Sequence, residues 1–196
     1  MFKQIKDVGE EIIDSNDDDL IPIQQSGITG RIKKVNLLTG FSGGSADKFI
    51  QLLDKKSAGV NGGFAIVSTW ATKDINYINS DETNEVILSD NLFILPSGTY
   101  QIDLRTTFYA LADTKIRIFN TTDQLAVLYG LNTYFNPSNG PAFQTSITGK
   151  FSIGANKQLA LQYWTKPATN INQYNFGGSV SDGSPEVYTI IDLWKI

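Results

Sequence analysis

The chain has 196 residues, no Cys, no His and a net charge of −4. Those absences exclude disulfides, thiolate chemistry, Ser-His and Cys-His nucleophile systems and the usual zinc ligands. The densest basic stretch is only Arg31, Lys33 and Lys34, too small for a nucleic-acid stripe, and no apolar run approaches the roughly 20 residues that span a bilayer.

Residues 1–30 mix apolar and charged positions. Gly9 and the acidic run Asn16-Asp17-Asp18-Asp19 allow only a short helix at the start, and Pro22 makes its surroundings extended. The stretch reads as an arm that needs a surface, with Phe2, Ile5, Ile12, Ile13, Leu20 and Ile21 as its anchoring side chains. The first residues show no apolar signal-peptide core, so an export signal is not expected. The acidic run lacks the spacing of a calcium loop and reads as solvated; no metal or cofactor is expected.

Residues 31–38 read as a short strand, followed by the turn-rich Gly40-Phe41-Ser42-Gly43-Gly44. Ser45 then caps an expected short helix through Lys56, with Phe49, Leu52 and Leu53 on one face. Residues 1–61 are therefore an extension and residues 62–196 a domain.

From Phe64 the pattern becomes strands separated by turn residues. Expected strands are 64–70, 74–78, 85–88, 92–95, 99–109, 114–120, 125–131, 143–153, 157–165 and 186–195. The punctuation includes Pro96-Ser97-Gly98 and Gly183-Ser184-Pro185. Strands without a convincing helix indicate an all-β sandwich or barrel. Tyr100, Ile102, Leu104 and Phe108 alternate with Gln101, Asp103, Arg105 and Thr107, as in a half-buried antiparallel strand.

The last strand departs from this rule. Val187, Thr189, Ile191 and Leu193 occupy one face; Tyr188, Ile190 and Trp194 occupy the other, with Asp192 among them. A strand apolar on both faces needs two partners, one its own core and the other a neighbouring subunit.

Three constellations carry no chemistry of their own. Asn120-Thr121-Thr122 is read as a turn rather than a glycosylation acceptor. The carboxylates Asp103, Asp113, Asp123, Asp182, Glu186 and Asp192 are scattered, with no spacing that puts two in one cleft, so catalysis is not expected. The aromatic and Asn-rich loops around Tyr134, Phe135 and Asn136 and around Asn172 and Tyr174 either contact a partner or pack their aromatics over the sandwich ends.

Six runs together resemble one family. Phe93-Ile94-Leu95-Pro96-Ser97-Gly98-Thr99-Tyr100-Gln101-Ile102 resembles the F-x-L-P-x-G-T-Y-x-I signature of jelly rolls similar to C1q and tumour necrosis factor. Gly62-Gly63-Phe64 with Trp70-Ala71-Thr72-Lys73-Asp74-Ile75-Asn76 is similar to the G-G … W-x-T-R-x-L-N opening found in phage tail-fibre and other virion proteins, with Lys73 and Ile75 in place of Arg and Leu. Ile118–Asp123, Gly149–Ile153, Asn175-Phe176-Gly177 and Glu186–Lys195 resemble the family's later motifs. The resemblance implies a C1q/TNF-like jelly roll, a homotrimer, and a viral structural role on the capsid or tail surface. The trimer interface is then assigned to Tyr188, Ile190, Asp192 and Trp194, with Trp164. Other virion proteins would be met through residues 1–61, and a host-surface receptor or glycan through the loops. The alternative is a secreted C1q/TNF-like ligand of a cellular organism, which should carry an export signal or a collagen-like stalk.

Overall fold

A computed structural model of the chain describes residues 20–25, 28–33, 47–134, 142–166 and 171–196, the first two stretches by backbone alone. The chain divides into two compact units, Met1–Ala46 and Asp47–Ile196. In the first, Leu20–Gln25 (β1) and Ile28–Lys33 (β2) form an antiparallel hairpin that pairs Ile21 with Ile32 and Pro22 with Arg31. Pro22 offers the ladder no N–H, which a two-stranded ribbon tolerates. A lone hairpin is marginal in water. Of the expected anchoring residues, Leu20 and Ile21 begin β1; Phe2, Ile5, Ile12 and Ile13 lie outside the described residues, as do the acidic run and the Gly-rich break.

The second unit is a sandwich of two antiparallel sheets. Its strands are Lys48–Lys56 (β3), Ala71–Thr72 (β4), Tyr77–Asp81 (β5), Ile87–Ser89 (β6), Leu92–Leu95 (β7), Gly98–Tyr109 (β8), Thr114–Asn120 (β9), Leu125–Tyr129 (β10), Ala142–Ile153 (β11), Lys157–Thr165 (β12) and Glu186–Lys195 (β13). One sheet runs β11-β8-β13-β3-β5; the other runs β10-β9-β12-β7-β6, with β4 added to β12. Neighbours distant in sequence alternate across the layers in a jelly roll, as expected.

The expected helix through Lys56 is not formed. That segment is β3, paired with β13 on one side and β5 on the other. Ile50, Leu52 and Asp54 point inward and are fully buried, a period of two. A short apolar run satisfies either period, and two waiting sheet neighbours decide it. The compact unit accordingly begins at Asp47, ahead of the boundary expected after residue 61. The expected strand at 64–70 is also absent. Phe64 and Ile66 are exposed, and Ser68 takes a positive φ of 60° that ends extension. The N–H groups of Ala65 and Ile66 go to the side chains of Asn175 and Tyr163 rather than to a ladder.

Most of the remaining strands fall where the alternation puts them; the one expected at 74–78 instead runs Tyr77–Asp81, and the short β4 is not among those expected. On β8, Tyr100, Ile102, Leu104 and Phe108 are buried between the sheets. Tyr100 stacks on Phe151 and donates its hydroxyl to the Pro96 carbonyl at 2.7 Å, closing the turn that precedes it. Burial, reinforced by the charges of Glu85 and Asp81, pushes that hydroxyl up to about 12. Phe108, Tyr163, Phe176 and Phe143 form an aromatic cluster at the other end of the core. Each such side chain removed from water contributes about 1.5–3 kcal/mol. Asp90 and Asn91 both take positive φ in the two-residue loop between β6 and β7, the geometry of a type I′ hairpin.

Candidate association face and binding groove

Three of the recognisable motifs, Gly62–Asn76, Asn175-Phe176-Gly177 and the start of Glu186–Lys195, meet at one end of the sandwich, where they hold loops to strands. Lys73 is fully buried. Its ammonium donates to Asp54 Oδ2 at 3.0 Å and lies 4.1 Å from the centre of the Phe176 ring. Burial pulls the Lys73 pKa down, against the opposing charge of Asp54. The other oxygen of Asp54 has Lys56 Nζ at 3.3 Å, an ion pair without hydrogen-bond geometry. Lys56 donates to Asp74. Burial works against its charge, but the bond to Asp74 and the charge of Asp54 prevail and raise its pKa.

Asn175 Oδ1 accepts from Asn172 N and Ala65 N, while its amide donates to Tyr109 O. Glu186 accepts from the N–H groups of Ser181, Val180 and Gly59, which hold its carboxyl below the usual range. Tyr188 donates to Val60 O at 2.8 Å, and its ring lies so close over Gly177 that a Cβ there would come within 2.5 Å.

Tyr188 is thus 6% exposed within a single copy and faces its own loops rather than a partner, which corrects its assignment to the trimer interface. A register shift between Val187 and Thr189 turns it away from the face of Ile190. Asp192 is 8% exposed on the outer face of the five-stranded sheet. It accepts from Gln51 at 2.7 Å and from Arg105 at 3.1 Å; Asn79 donates to Gln51, and Asp103 stands 3.9 Å from Arg105. A polar ladder therefore crosses β5, β3, β13 and β8. Beside it, Trp194 packs on Phe49 with ring centres 5.4 Å apart, and Ile190 is half-buried. Ile190 and Trp194 are where the alternation placed them. Phe49 joins them only because its segment is a strand rather than the expected helix.

Trp164 is on the other sheet. Its neighbours Tyr163 and Thr165 are buried in the core, so it stands on the outer face of β12. No single flat contact holds both Trp164 and Trp194. The face of β9, β10 and β12 carries its own array. The Arg117 guanidinium lies 3.9 Å from the Trp70 ring centre and 4.3 Å from that of Phe119, and donates twice to Gln162 Oε1. Lys115 Nζ lies 4.7 Å above Tyr129. Alternation of Lys115, Arg117 and Phe119 along β9 was the signal for this face. At its end Trp164 and Tyr134 line one open groove with Asp113, Thr114, Lys115, Asn132 and Thr133.

Of the expected contact loops, Phe135 and Asn136 lie outside the described residues. Asn172 uses its side chain on Tyr174 N, as a turn residue. Tyr174 is partly exposed beside Gly178. The six carboxylates weighed for catalysis each have a local partner: Arg105 for Asp103 and Asp192, Lys166 for Asp113, Lys157 for Asp123, Ser184 for Asp182, and three backbone amides for Glu186. Asn120 is buried and exchanges bonds with Asp123 across its turn. Among the described residues, no group of three or more acidic side chains could hold a metal ion.

No protein-family model matches this sequence, and no curated protein matches it. Solved structures do. A crystal structure of murine APRIL is 8% identical with a TM-score of 0.50, covering 76% of this chain and 99% of that one. Eiger TNF from S. frugiperda is 13% identical at 0.50, covering 77% and 93%. The globular domain of a zebrafish complement 1qA protein is 11% identical at 0.48, covering 76% and 97%. With two antiparallel five-strand paths and the likeness to APRIL and Eiger TNF, the sandwich has the C1q/TNF jelly-roll fold.

Proposed function

We propose that the sandwich is the self-associating recognition module of a virion surface protein, a homotrimer held to its particle by the segment before Asp47. The observation that carries this reading is the outer face of the five-stranded sheet, where Phe49 packs on Trp194 and Ile190 shares the face beyond the Asp192 ladder, on the adjacent strands β3 and β13. Covering what remains of these side chains in water contributes about 25 cal/mol per Å² of apolar surface removed.

A second apolar patch lies on the β10 edge, where Leu125, Tyr129 and Leu131 are exposed. Gly130 bonds back to Ile116 and Leu131 forward to Ser146, which pins this edge between the two sheets. Two different patches on one copy suit a head-to-tail contact, and a head-to-tail contact that closes makes a ring. The ladder through Asp192 sets register, since a polar row buried by association must keep its partners. Support for the particle comes from the Gly62–Asn76 motif and from a hairpin, β1–β2, of a kind that is marginal alone.

The likeness in fold to APRIL and Eiger TNF favours a second reading, a free recognition ligand. Deleting residues 1–30 separates the two. On the virion reading the shortened chain still forms a trimer but is lost from purified particles. Incorporation at normal stoichiometry, or a protein never found in particles by electron microscopy and mass spectrometry, contradicts it.

A further inference from the structure

Trp164 on β12 and Tyr134 line one open groove of about 320 Å³, within the range of roughly 300–1,000 Å³ of small-ligand sites. The backbone leading to Tyr134 is held in place. Thr133 and Thr114 exchange bonds at 2.9 and 3.0 Å, and Leu131 N donates to Ser146 O. Yet the Tyr134 ring is 83% exposed. A pinned loop that keeps a large ring in water forgoes burial.

Each of the other aromatic rings of this face carries a cation on one side. Arg117 covers Trp70 and Phe119, and Lys115 covers Tyr129. Among the described residues no cation or aromatic ring covers Trp164 or Tyr134. The free aromatic faces therefore coincide with the groove.

Around them stand Asp113, Asn132, Thr133 and Lys115, which offer acceptors and donors in one small space. Lys166 pairs with Asp113, and the Lys115 ammonium is turned over the Tyr129 ring. An anion would meet the Asp113 carboxylate. An apolar peptide side chain would satisfy the rings and strip water from Asp113 and Asn132 without replacing it. A pyranose matches both halves: one face of its ring is C–H, and its rim is hydroxyls that donate and accept.

We infer that this groove binds a neutral pyranose, the terminal sugar of a glycan, stacked on Trp164 or Tyr134 with hydroxyls on Asp113 and Asn132. The inference rests on reading the sandwich as a recognition module and not on its assembly state.

The test follows the indole N–H signals of Trp70, Trp164 and Trp194 by NMR in the intact chain. The probes are glucose, galactose, mannose, N-acetylglucosamine, N-acetylgalactosamine and their β-1,4-linked disaccharides. Each is raised to about 100 mM, a hundredfold above a millimolar dissociation constant. At least one sugar should move the Trp164 signal saturably and leave those of Trp70 and Trp194 in place. Asp113→Asn and Tyr134→Ala should each weaken that binding about tenfold or more, while Trp70→Phe leaves it unchanged. If no sugar in the panel moves Trp164, or if Asp113→Asn and Tyr134→Ala leave the titration as it was, the groove is not a sugar site. Sedimentation of the same samples reports association separately, so loss of the trimer and loss of sugar binding are distinguishable.

Discussion

The motif end of the sandwich and its two outer faces use the same residue types in opposite ways. At the motif end, Lys73, Asp54, Asn175, Glu186 and Tyr188 are buried polar groups whose partners are other parts of the same copy. On the outer faces, Phe49, Ile190 and Trp194 on one sheet and Trp164 and Tyr134 beside the other are large apolar groups left partly in water. Many residues of the recognisable runs therefore close the fold, while Ile190 and Trp194 in the last of them face outward. Changes at the first region should alter stability and spare association; changes at the second should do the reverse.

The largest stability effect is expected at Lys73. Lys73→Ala leaves the buried Asp54 with only the off-geometry ion pair to Lys56 and should cost about 3–5 kcal/mol, measured by denaturant unfolding. Adding Asp54→Leu should recover much of that loss, because the stranded charge goes with it. Should Lys73→Ala unfold with wild-type stability, the motif end would not be the closure described here.

Gly177→Ala comes next. The backbone there has a φ of +123°, and the new Cβ would press on Tyr188. A left-handed site forced on a non-Gly residue costs about 1–3 kcal/mol, and the loop should show faster amide exchange near Val60 as the Tyr188 bond loosens.

The smallest effect is a pH dependence. Glu186 titrates below its ordinary 4.5 in the folded chain, chiefly because Ser181 and Val180 donate to the carboxylate. As pH falls through 4.5 the unfolded chain takes up a proton that the folded carboxylate refuses, so stability declines until the folded group protonates too. Glu186→Gln should flatten that part of the acid limb and leave stability above pH 4.5 free of this group's slope. An unchanged acid limb would mean the three amides do not hold the charge.

Much of the sandwich was legible because its strands are half-buried and alternate. β8, β9 and β12 could be read from Tyr100, Ile102 and Leu104, from Ile116 and Ile118, and from Leu159 and Leu161, each a row facing one core. β3 was not, because Ile50, Leu52 and Leu53 fit a helical face as well as a strand, and only its distant neighbours β13 and β5 settle the matter. For the association face, Ile190 and Trp194 followed from the two-sided pattern of β13. Tyr188 did not, because strict alternation cannot anticipate the bulge at Val187. The groove was half visible: Tyr134 stood out as a loop aromatic, but nothing local links it to Trp164 on β12 or to Asp113 in the turn before β9.

The most direct measurement is the sedimentation mass of three full-length proteins at micromolar concentration: wild type, Trp194→Asp and Trp164→Asp. Wild type and Trp164→Asp should both sediment at three chain masses, while Trp194→Asp should be a folded monomer. A wild-type monomer, or a Trp194→Asp protein that still sediments as a trimer, would contradict the assignment of the β3–β13 face to association.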